Sequence, residues 1–372
     1  MKKLIRVTTA DISLDLLLKG QLRYLNDYFE VVGVAADTGV LEKVAEREGI
    51  RTVAIPMHRE ISLRSDWQCL WHLVRLFRKE RPDIVHANTP KGSLLSMIAA
   101  KIAKVPHRIY LVTGLRYQGA TGLFRWMLKT MERISCFCAT KVIPEGNGVK
   151  AILQNDHITR KPMTLVHNGN INGIDTAYFS QEQVSAQHTD IFAFIFIGRI
   201  VGDKGMNELA EAIQRLHSDG MVFKVILVGN FETELDPLQG DNETFLRTAK
   251  EVEFVGYQQD VRPYLAQADA LVFPSYREGF PNVVLQAGSM GLASIVTNIS
   301  GCNEIIKDGL NGRIIQPRNT QALYHTMRYF IEHPAEVRRM AGNARSMVQE
   351  RFEQKDVWRC LLEVYQQLIV NS

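Results

Sequence analysis

The chain has 372 residues, 46% of them hydrophobic and 23% charged, with a net charge of +4. That length means two domains at ~100–200 residues each, and the composition excludes a disordered or collagen-like chain. No apolar run approaches the ~18 residues of a membrane span, and Met1-Lys2-Lys3 enters a strand-like run without a signal-peptide core, so the mature chain is expected in the cytoplasm.

Short β-rich runs alternate with helical patterns along the first half. Strands are predicted at Leu4–Thr8, Val31–Ala35, Thr52–Ile55, Ile84–His86, Arg108–Val112, Lys141–Ile143 and Thr164–Val166. Helices are predicted between them, at Leu14–Asn26, Leu41–Glu48, Ser65–Glu80, Gly92–Ala103, Leu123–Cys136 and Val149–Gln154. Such alternation means right-handed crossovers and a parallel sheet covered on both faces. Five cysteines in this length make no disulfide framework, and Cys136 and Cys138 read as small buried residues. Asn168 to Gly173 is dense in turn residues, and the polar stretch through Asp190 reads as a linker.

The rhythm then repeats. Phe192–Ile197, Lys224–Val228, Val252–Val255, Ala270–Phe273, Ser294–Thr297 and Gly312–Ile315 read as strands. Met206–His217, Asp260–Gln267, Pro281–Met290 and Cys302–Lys307 read as helices, and three more close the chain at Gln321–Glu332, Ala335–Glu350 and Gln354–Val370. The expectation is two doubly wound α/β domains facing a cleft, at 1–175 and 190–352. The last segment, 353–372, is expected to return as a helix toward the first domain. Ligands of such sheets bind outside the carboxyl ends of the strands.

Three strand-to-helix turns carry candidate chemistry. In Phe196-Ile197-Gly198-Arg199-Ile200-Val201-Gly202-Asp203-Lys204-Gly205, a glycine ends the strand and two cations precede the next helix. Arg199 and Lys204 could neutralise a diphosphate, or be two solvated cations on a tight turn. Neither dinucleotide-binding nor P-loop spacing is present. In Phe273-Pro274-Ser275-Tyr276-Arg277-Glu278-Gly279-Phe280-Pro281-Asn282, Glu278 stands at a strand's carboxyl end and Pro281 where a helix would begin. Glu278 could accept hydrogen bonds from sugar hydroxyls or favour the helix dipole, and the Gln286 carboxamide also offers an acceptor. The turn Val85-His86-Ala87-Asn88-Thr89-Pro90-Lys91-Gly92 groups a proton-transfer group, an amide and a cation. His86 could equally be a satisfied structural histidine.

Together these runs resemble glycosyltransferase family 4. The resemblance rests on Arg277–Val284, Gly301-Cys302-Asn303-Glu304 and the Gly198–Gly205 loop. His86–Gly92 and Asn168–Asp175 are similar to its bacterial capsule and O-antigen branch. The resemblance spans nearly the whole chain. It implies the GT-B fold, a nucleotide-sugar donor (UDP-linked in our reading), retention of anomeric configuration, and no metal or other cofactor. It makes Arg199 and Lys204 the diphosphate-binding pair, and Glu278 the first glutamate of the family's E-x7-E motif, contacting the donor sugar. Gln286 takes the second position, contacting the ribose. Gly198, Gly279, Phe280, Pro281 and Asn282 complete the expected donor site; Glu278, Lys204, Arg199 and His86 form the expected catalytic set. Asn88, Lys91, Thr113 and Gly114 are assigned to the acceptor. Two departures stand out. Gln286 replaces a carboxylate, and Leu111-Val112-Thr113-Gly114 lacks the histidine that many members carry before the glycine.

Charge is divided unevenly. Residues 1–170 carry 26 Lys and Arg against 15 Asp and Glu, a net +11; residues 171–372 carry 18 against 25, a net −7. The basic half suits a polyanion: an anionic membrane, a phosphorylated substrate or nucleic acid. No nucleic-acid module is recognised, so nucleic acid is not expected as a partner. Gly122–Arg133 places Arg125, Lys129 and Arg133 at i, i+4 and i+8 beside Phe124 and Trp126, a pattern suited to an anionic bilayer surface. For Trp67–Arg81 ordinary core packing is preferred. The expected location is therefore peripheral, on the inner face of the cell membrane, with a glycan or polyprenyl-diphosphate-linked glycan as acceptor. A nucleotide-sugar 2-epimerase and a non-catalytic partner-binding protein of the same fold are the competing readings.

Overall fold

The computed structural model describes residues 1–58, 62–185, 190–232, 234 and 236–370. Residues 186–189, inside the expected linker, lie outside the described set. The chain divides into two compact units, Met1–Gly173 with Lys355–Ser372, and Ile174–Gln354.

The first unit contains β1 (Lys3–Ala10), α1 (Asp11–Leu17), α2 (Gln21–Asn26), β2 (Glu30–Ala36), α3 (Leu41–Glu48), β3 (Arg51–Ala54), α4 (Leu63–Glu80), β4 (Ile84–Ala87), α5 (Pro90–Ile102), β5 (His107–Val112), α6 (Gly122–Cys138), β6 (Lys141–Pro144) and α7 (Asn147–Asn155). Its six strands lie in the order β3-β2-β1-β4-β5-β6, and all the pairings are parallel. Strand side chains alternate between faces. Leu4 and Ile84 pack on one face with α1, α2 and α3, while Ile5 and Val85 pack on the other with α4, α5 and α6. The order reverses between β1 and β4, so the switch point of this sheet lies there.

The second unit contains β7 (Ala193–Ile197), α8 (Met206–Ser218), β8 (Lys224–Val228), α9 (Asn242–Thr248), β9 (Val252–Gly256), α10 (Arg262–Leu265), β10 (Ala270–Phe273), α11 (Asn282–Ser289), β11 (Ala293–Thr297), α12 (Cys302–Ile305), β12 (Gly312–Ile315), α13 (Thr320–Glu332) and α14 (Pro334–Phe352). Its order, β12-β11-β10-β7-β8-β9, is the same doubly wound arrangement. Its switch point lies between β7 and β10. The last helix, α15 (Gln354–Val370), packs Val357, Leu361, Leu362 and Tyr365 onto the α1–α3 face of the first unit.

Some expectations are corrected. Leu14–Asn26 is two helices, broken around Gly20. Thr164–Val166 is not a strand; one bridge, Val142 to Met163, is all that this stretch gives the sheet. The helix α9 was not foreseen, and α10 and α12 are only single turns.

One buried carboxyl group yields a testable consequence. Glu132 of α6 is buried and accepts a hydrogen bond of 2.5 Å from the Tyr110 hydroxyl. Burial raises its pKa from 4.5 to about 7 despite that bond. A raised carboxyl pKa means the folded state binds the proton that the unfolded state has released, so stability falls as pH rises from about 4.5 to about 7. Glu132→Gln keeps an acceptor for Tyr110 and removes the charge. Its melting temperature should exceed wild type near pH 8 and lose that advantage near pH 4, the ceiling being about 3 kcal/mol. An equal difference at both pH values would contradict this.

Candidate active site

Both donor-side turns leave the second sheet at its switch point, one after β7 and one after β10. Glycine makes their approach possible. Gly205 has φ +74°, and a Cβ there would stand 2.2 Å from the Pro274 carbonyl oxygen. Gly301, also at φ +74°, would place a Cβ 2.6 Å from the Gly279 carbonyl oxygen. A side chain at Gly205 would force the two turns apart, and one at Gly301 would push the turn between β11 and α12 off the second of them. Further bonds brace them. The Tyr276 N–H donates to the Asp203 carbonyl at 2.9 Å, and the Arg277 guanidinium pairs with the Asp203 carboxylate at 2.6 Å.

The result is a direct ion pair between Lys204 and Glu278. Their side chains are 16% and 17% exposed, so water screens the pair only in part. The Ser275 hydroxyl donates at 2.8 Å to Glu278 Oε1, the same oxygen that Lys204 holds, and so helps to fix the carboxylate. Ser275 is fully buried. Glu278 also acts on its neighbour: burial first, and this carboxylate next, push the Cys302 thiol well above its usual range. Arg199 is about half exposed and pairs with Glu232 at 3.1 Å. Each predicted diphosphate cation is therefore held by a carboxylate of the protein itself, which limits its motion.

The rest of the predicted donor set divides. Gly198 follows the last residue of β7 and Gly279 is buried in the turn. Asn282 is the first residue of α11, and Pro281 is its N-cap rather than its first helical residue. Gln286 stands half-buried on α11. Phe280 is a correction: its ring is buried 5.4 Å from that of Phe352, so its side chain belongs to the core.

On the first unit, Asn88 and Lys91 follow β4, while Thr113 and Gly114 follow β5, its neighbour in the sheet. Asn88 is buried, and Thr113 and Gly114 are half-buried. Lys91 is bound to Asp66 at 2.6 Å. His86 requires correction. It lies inside β4, fully buried, with Nδ1 2.5 Å from the Tyr365 hydroxyl. Burial and the adjacent Arg6 hold its pKa well below the usual imidazole value. It is a neutral core group and not an exposed proton-transfer group.

Sequence reasoning missed Ser275, Asp203 and Glu232. Ser275 stands three residues before Glu278, the spacing at which one turn folds back on itself. Glu232 is 33 residues from Arg199, and no local signal connects them. Also missed was the Thr9–Thr89 hydroxyl contact of 2.7 Å, which ties the end of β1 to the start of α5.

Comparisons with known proteins agree with this architecture. Residues 21–176 match the model of Glycosyltransferase Family 4, and residues 192–333 match that of Glycosyl transferases group 1. The chain is 29% identical to the capsular polysaccharide biosynthesis glycosyltransferase CapM of Staphylococcus aureus, over 100% of this chain and 98% of that protein. It is 27% identical to the UDP-Gal:alpha-D-GlcNAc-diphosphoundecaprenol alpha-1,3-galactosyltransferase of Escherichia coli, over 78% and 77% of the two chains. Among solved structures, a Rickettsia africae glycosyltransferase superposes with a TM-score of 0.80 at 18% identity, over 100% and 99% of the chains. Anabaena HepE in complex with UDP-glucose gives 0.79 at 18% identity, over 99% and 100%. These likenesses place the fold in the GT-B class.

Proposed function

The chain belongs to the glycosyltransferases of family 4 and group 1 that build bacterial surface polysaccharide, and from that premise we propose that it moves a sugar from a UDP-sugar to a polyprenyl-diphosphate-linked glycan. The observation that carries this reading is the Lys204–Glu278 pair at the switch point of the second sheet. The pair offers a cation for the diphosphate and, beside it, a carboxylate for sugar hydroxyls.

Breaking the bond from sugar to diphosphate builds negative charge on the leaving group. Lys204 and Arg199 are assigned to stabilise that charge, so the reaction needs no metal ion. Glu278 accepts hydrogen bonds from the sugar, and Gln286 reaches the ribose. The acceptor hydroxyl attacks from the face that the diphosphate leaves, the departing phosphate oxygen takes its proton, and configuration is retained. The acceptor is assigned to the turns after β4 and β5 of the first unit. A thermal-shift series with UDP, GDP, ADP and their sugars tests the donor, because a ligand that binds only the folded state raises the midpoint. UDP and a UDP-sugar should give the largest shift. A shift with GDP or ADP and none with UDP would overturn the donor assignment. Gln286→Glu should leave transfer within about threefold of wild type, since a ribose hydroxyl needs an acceptor rather than a charge. Complete loss in a rate assay would show that the site depends on the amide.

We further propose that the α4–α5–α6 face rests on an anionic bilayer. On α6, Leu123, Phe124, Trp126, Ile134 and Phe137 are exposed, Trp126 by 61%. Arg125 and Arg133 are exposed beside them. Lys129 does not belong to this set, because Asp156 holds it at 2.8 Å. The core-packing expectation for α4 also fails at its tryptophans. Trp67 is 61% exposed and Trp71 40%, on a face with Arg64, Arg75, Arg78 and Lys79. The acids of these three helices are all engaged elsewhere: Asp66 with Lys91, Glu80 with Lys3 and Arg51, and Glu132 with Tyr110. The outward face is thus aromatic and basic, as an interfacial helix requires. Each cation near an anionic surface contributes about 1 kcal/mol, and that attraction weakens with salt. Changing Arg75, Arg78, Arg125 and Arg133 together to Gln should release the protein from anionic vesicles in a sedimentation assay. Sedimentation equal to wild type would remove this face from the account. No helix among the described residues is long and apolar enough to cross a membrane.

A further inference from the structure

The segment that follows β8 runs beside the turn between β7 and α8. Gly229 passes so close to Gly198 that a Cβ on it would stand 1.8 Å from the Gly198 carbonyl oxygen. The Ile200 N–H donates to the Asn230 carbonyl at 2.8 Å, and Ile200 forms a parallel bridge with Phe231. The Phe231 ring anchors this end, with the Arg247 guanidinium carbon 3.7 Å from its centre and the Phe254 ring 5.1 Å away. Glu232 then takes the Arg199 guanidinium. At the far end the Gln239 N–H donates at 2.8 Å to the side-chain oxygen of Asn207, the second residue of α8.

Between these ends stands Asp236. Its Oδ2 accepts the Asp203 N–H at 2.6 Å, and its backbone carbonyl accepts the Gly202 N–H at 3.2 Å. The directions are fixed by the groups, since an amide N–H only donates and a carbonyl or carboxylate oxygen accepts. Gly202–Lys204 is a single 3₁₀ turn, and the leading N–H groups of such a turn find no partner inside it. Asp236 supplies a partner to two of them. The turn ends at Lys204, whose ammonium meets Glu278. From the other side the Asp203 carbonyl accepts the Tyr276 N–H, and the Asp203 carboxylate holds Arg277. The short turn that carries Lys204 is therefore gripped from two sides, by the turn after β10 and by Asp236. Free N–H groups at such a turn would suit a phosphate. Here a carboxylate of the chain fills one of them, so the donor meets this turn through the Lys204 side chain.

We propose that Asp236 is a positioning residue for the donor: it caps the turn Gly202–Lys204 and so holds the Lys204 ammonium where the diphosphate binds. This inference rests on the diphosphate assignment above. The segment after β8 thereby sets both cations of that assignment, Arg199 through Glu232 and Lys204 through Asp236.

Three measurements on the full-length chain test this. The first needs no ligand. Amide hydrogen exchange read by NMR should show the wild-type Asp203 N–H protected, and the same amide at least about tenfold faster in Asp236→Ala. A wild-type Asp203 amide that exchanges like an open one would overturn the proposal whether or not the variant folds. The second is titration calorimetry with UDP. Asp236→Ala should weaken UDP binding about tenfold, while Asp236→Asn, which keeps an acceptor oxygen for the Asp203 N–H, should stay within about threefold of wild type. The third places Asp236→Ala in a Lys204→Ala background, where it should cost less than about threefold, because the cation it positions is gone. An equal loss in both backgrounds would overturn the proposal by showing that Asp236 acts on the fold and not through Lys204. Asp236→Asn as weak as Asp236→Ala would overturn it too. UDP affinity lowered by Lys204→Ala but untouched by Asp236→Ala would overturn this inference alone. UDP affinity untouched by Lys204→Ala would overturn the diphosphate assignment, and this inference with it.

Discussion

Lys204→Ala is expected to lower kcat/KM for transfer by about 10²–10³ while the protein stays folded. A charge-assisted hydrogen bond to a diphosphate is worth about 1.5–3 kcal/mol, or roughly 10- to 150-fold. The structure adds a second cost. Lys204 is the partner of Glu278, and its removal leaves a partly buried carboxylate beside the place assigned to the diphosphate. Like charges there oppose binding as well as transfer. The Lys204→Ala/Glu278→Gln double variant should therefore lose less than the sum of the singles, because neighbours in one network are not additive. Initial rates with labelled donor, beside a thermal melt, check both statements. Arg199 is half exposed and its loss should matter less. Wild-type rates in a Lys204→Ala/Arg199→Ala double variant would remove the pair from the mechanism.

Glu278→Gln is the second large effect, and it should separate transfer from nucleotide binding. The amide keeps the shape and one acceptor oxygen, so the Ser275 bond can persist. The charged acceptor for the sugar is lost, and transfer should fall about 10- to 150-fold, the worth of a charge-assisted bond. UDP affinity should hold or rise, since the ammonium of Lys204 is no longer neutralised by its neighbour. Titration calorimetry with UDP and with a UDP-sugar makes the comparison. Collapse of UDP affinity with sugar selectivity intact would place Glu278 on the nucleotide and not on the sugar.

The repeated βα rhythm was legible because strands buried on both faces read as short continuous apolar runs. Val225–Val228 and Ala270–Phe273 are of this kind, and both are nearly or fully buried. The donor turns were legible for a related reason. A strand that ends in Gly198, or runs into Ser275–Pro281, must turn at the sheet's carboxyl edge, where ligands bind. What stayed hidden depends on distant partners. His86 read as a proton-transfer group at a strand's carboxyl end as readily as a structural histidine, because nothing near it in sequence announces Tyr365, 279 positions away. Lys91 looked free because Asp66 belongs to a different helix. Trp67 and Trp71 fit a core helix as well as a surface one by spacing alone. Only packing shows that α4 turns Cys69, Leu73 and Phe77 inward and leaves both indoles outside.

The most direct measurement is product analysis with a purified UDP-sugar, carbon-13 labelled at the anomeric position. A polyprenyl-diphosphate-linked glycan serves as acceptor, and a chelator is present throughout. The label should move into the lipid-linked fraction with its α configuration kept, and Lys204→Ala should leave it on the donor. Label recovered as a 2-epimer of the UDP-sugar, or left on the donor by wild type with every acceptor, would contradict the account. Transfer with inverted configuration would contradict the front-face mechanism, and transfer that stops when the chelator is added would contradict the assignment of the leaving-group charge to Lys204 and Arg199.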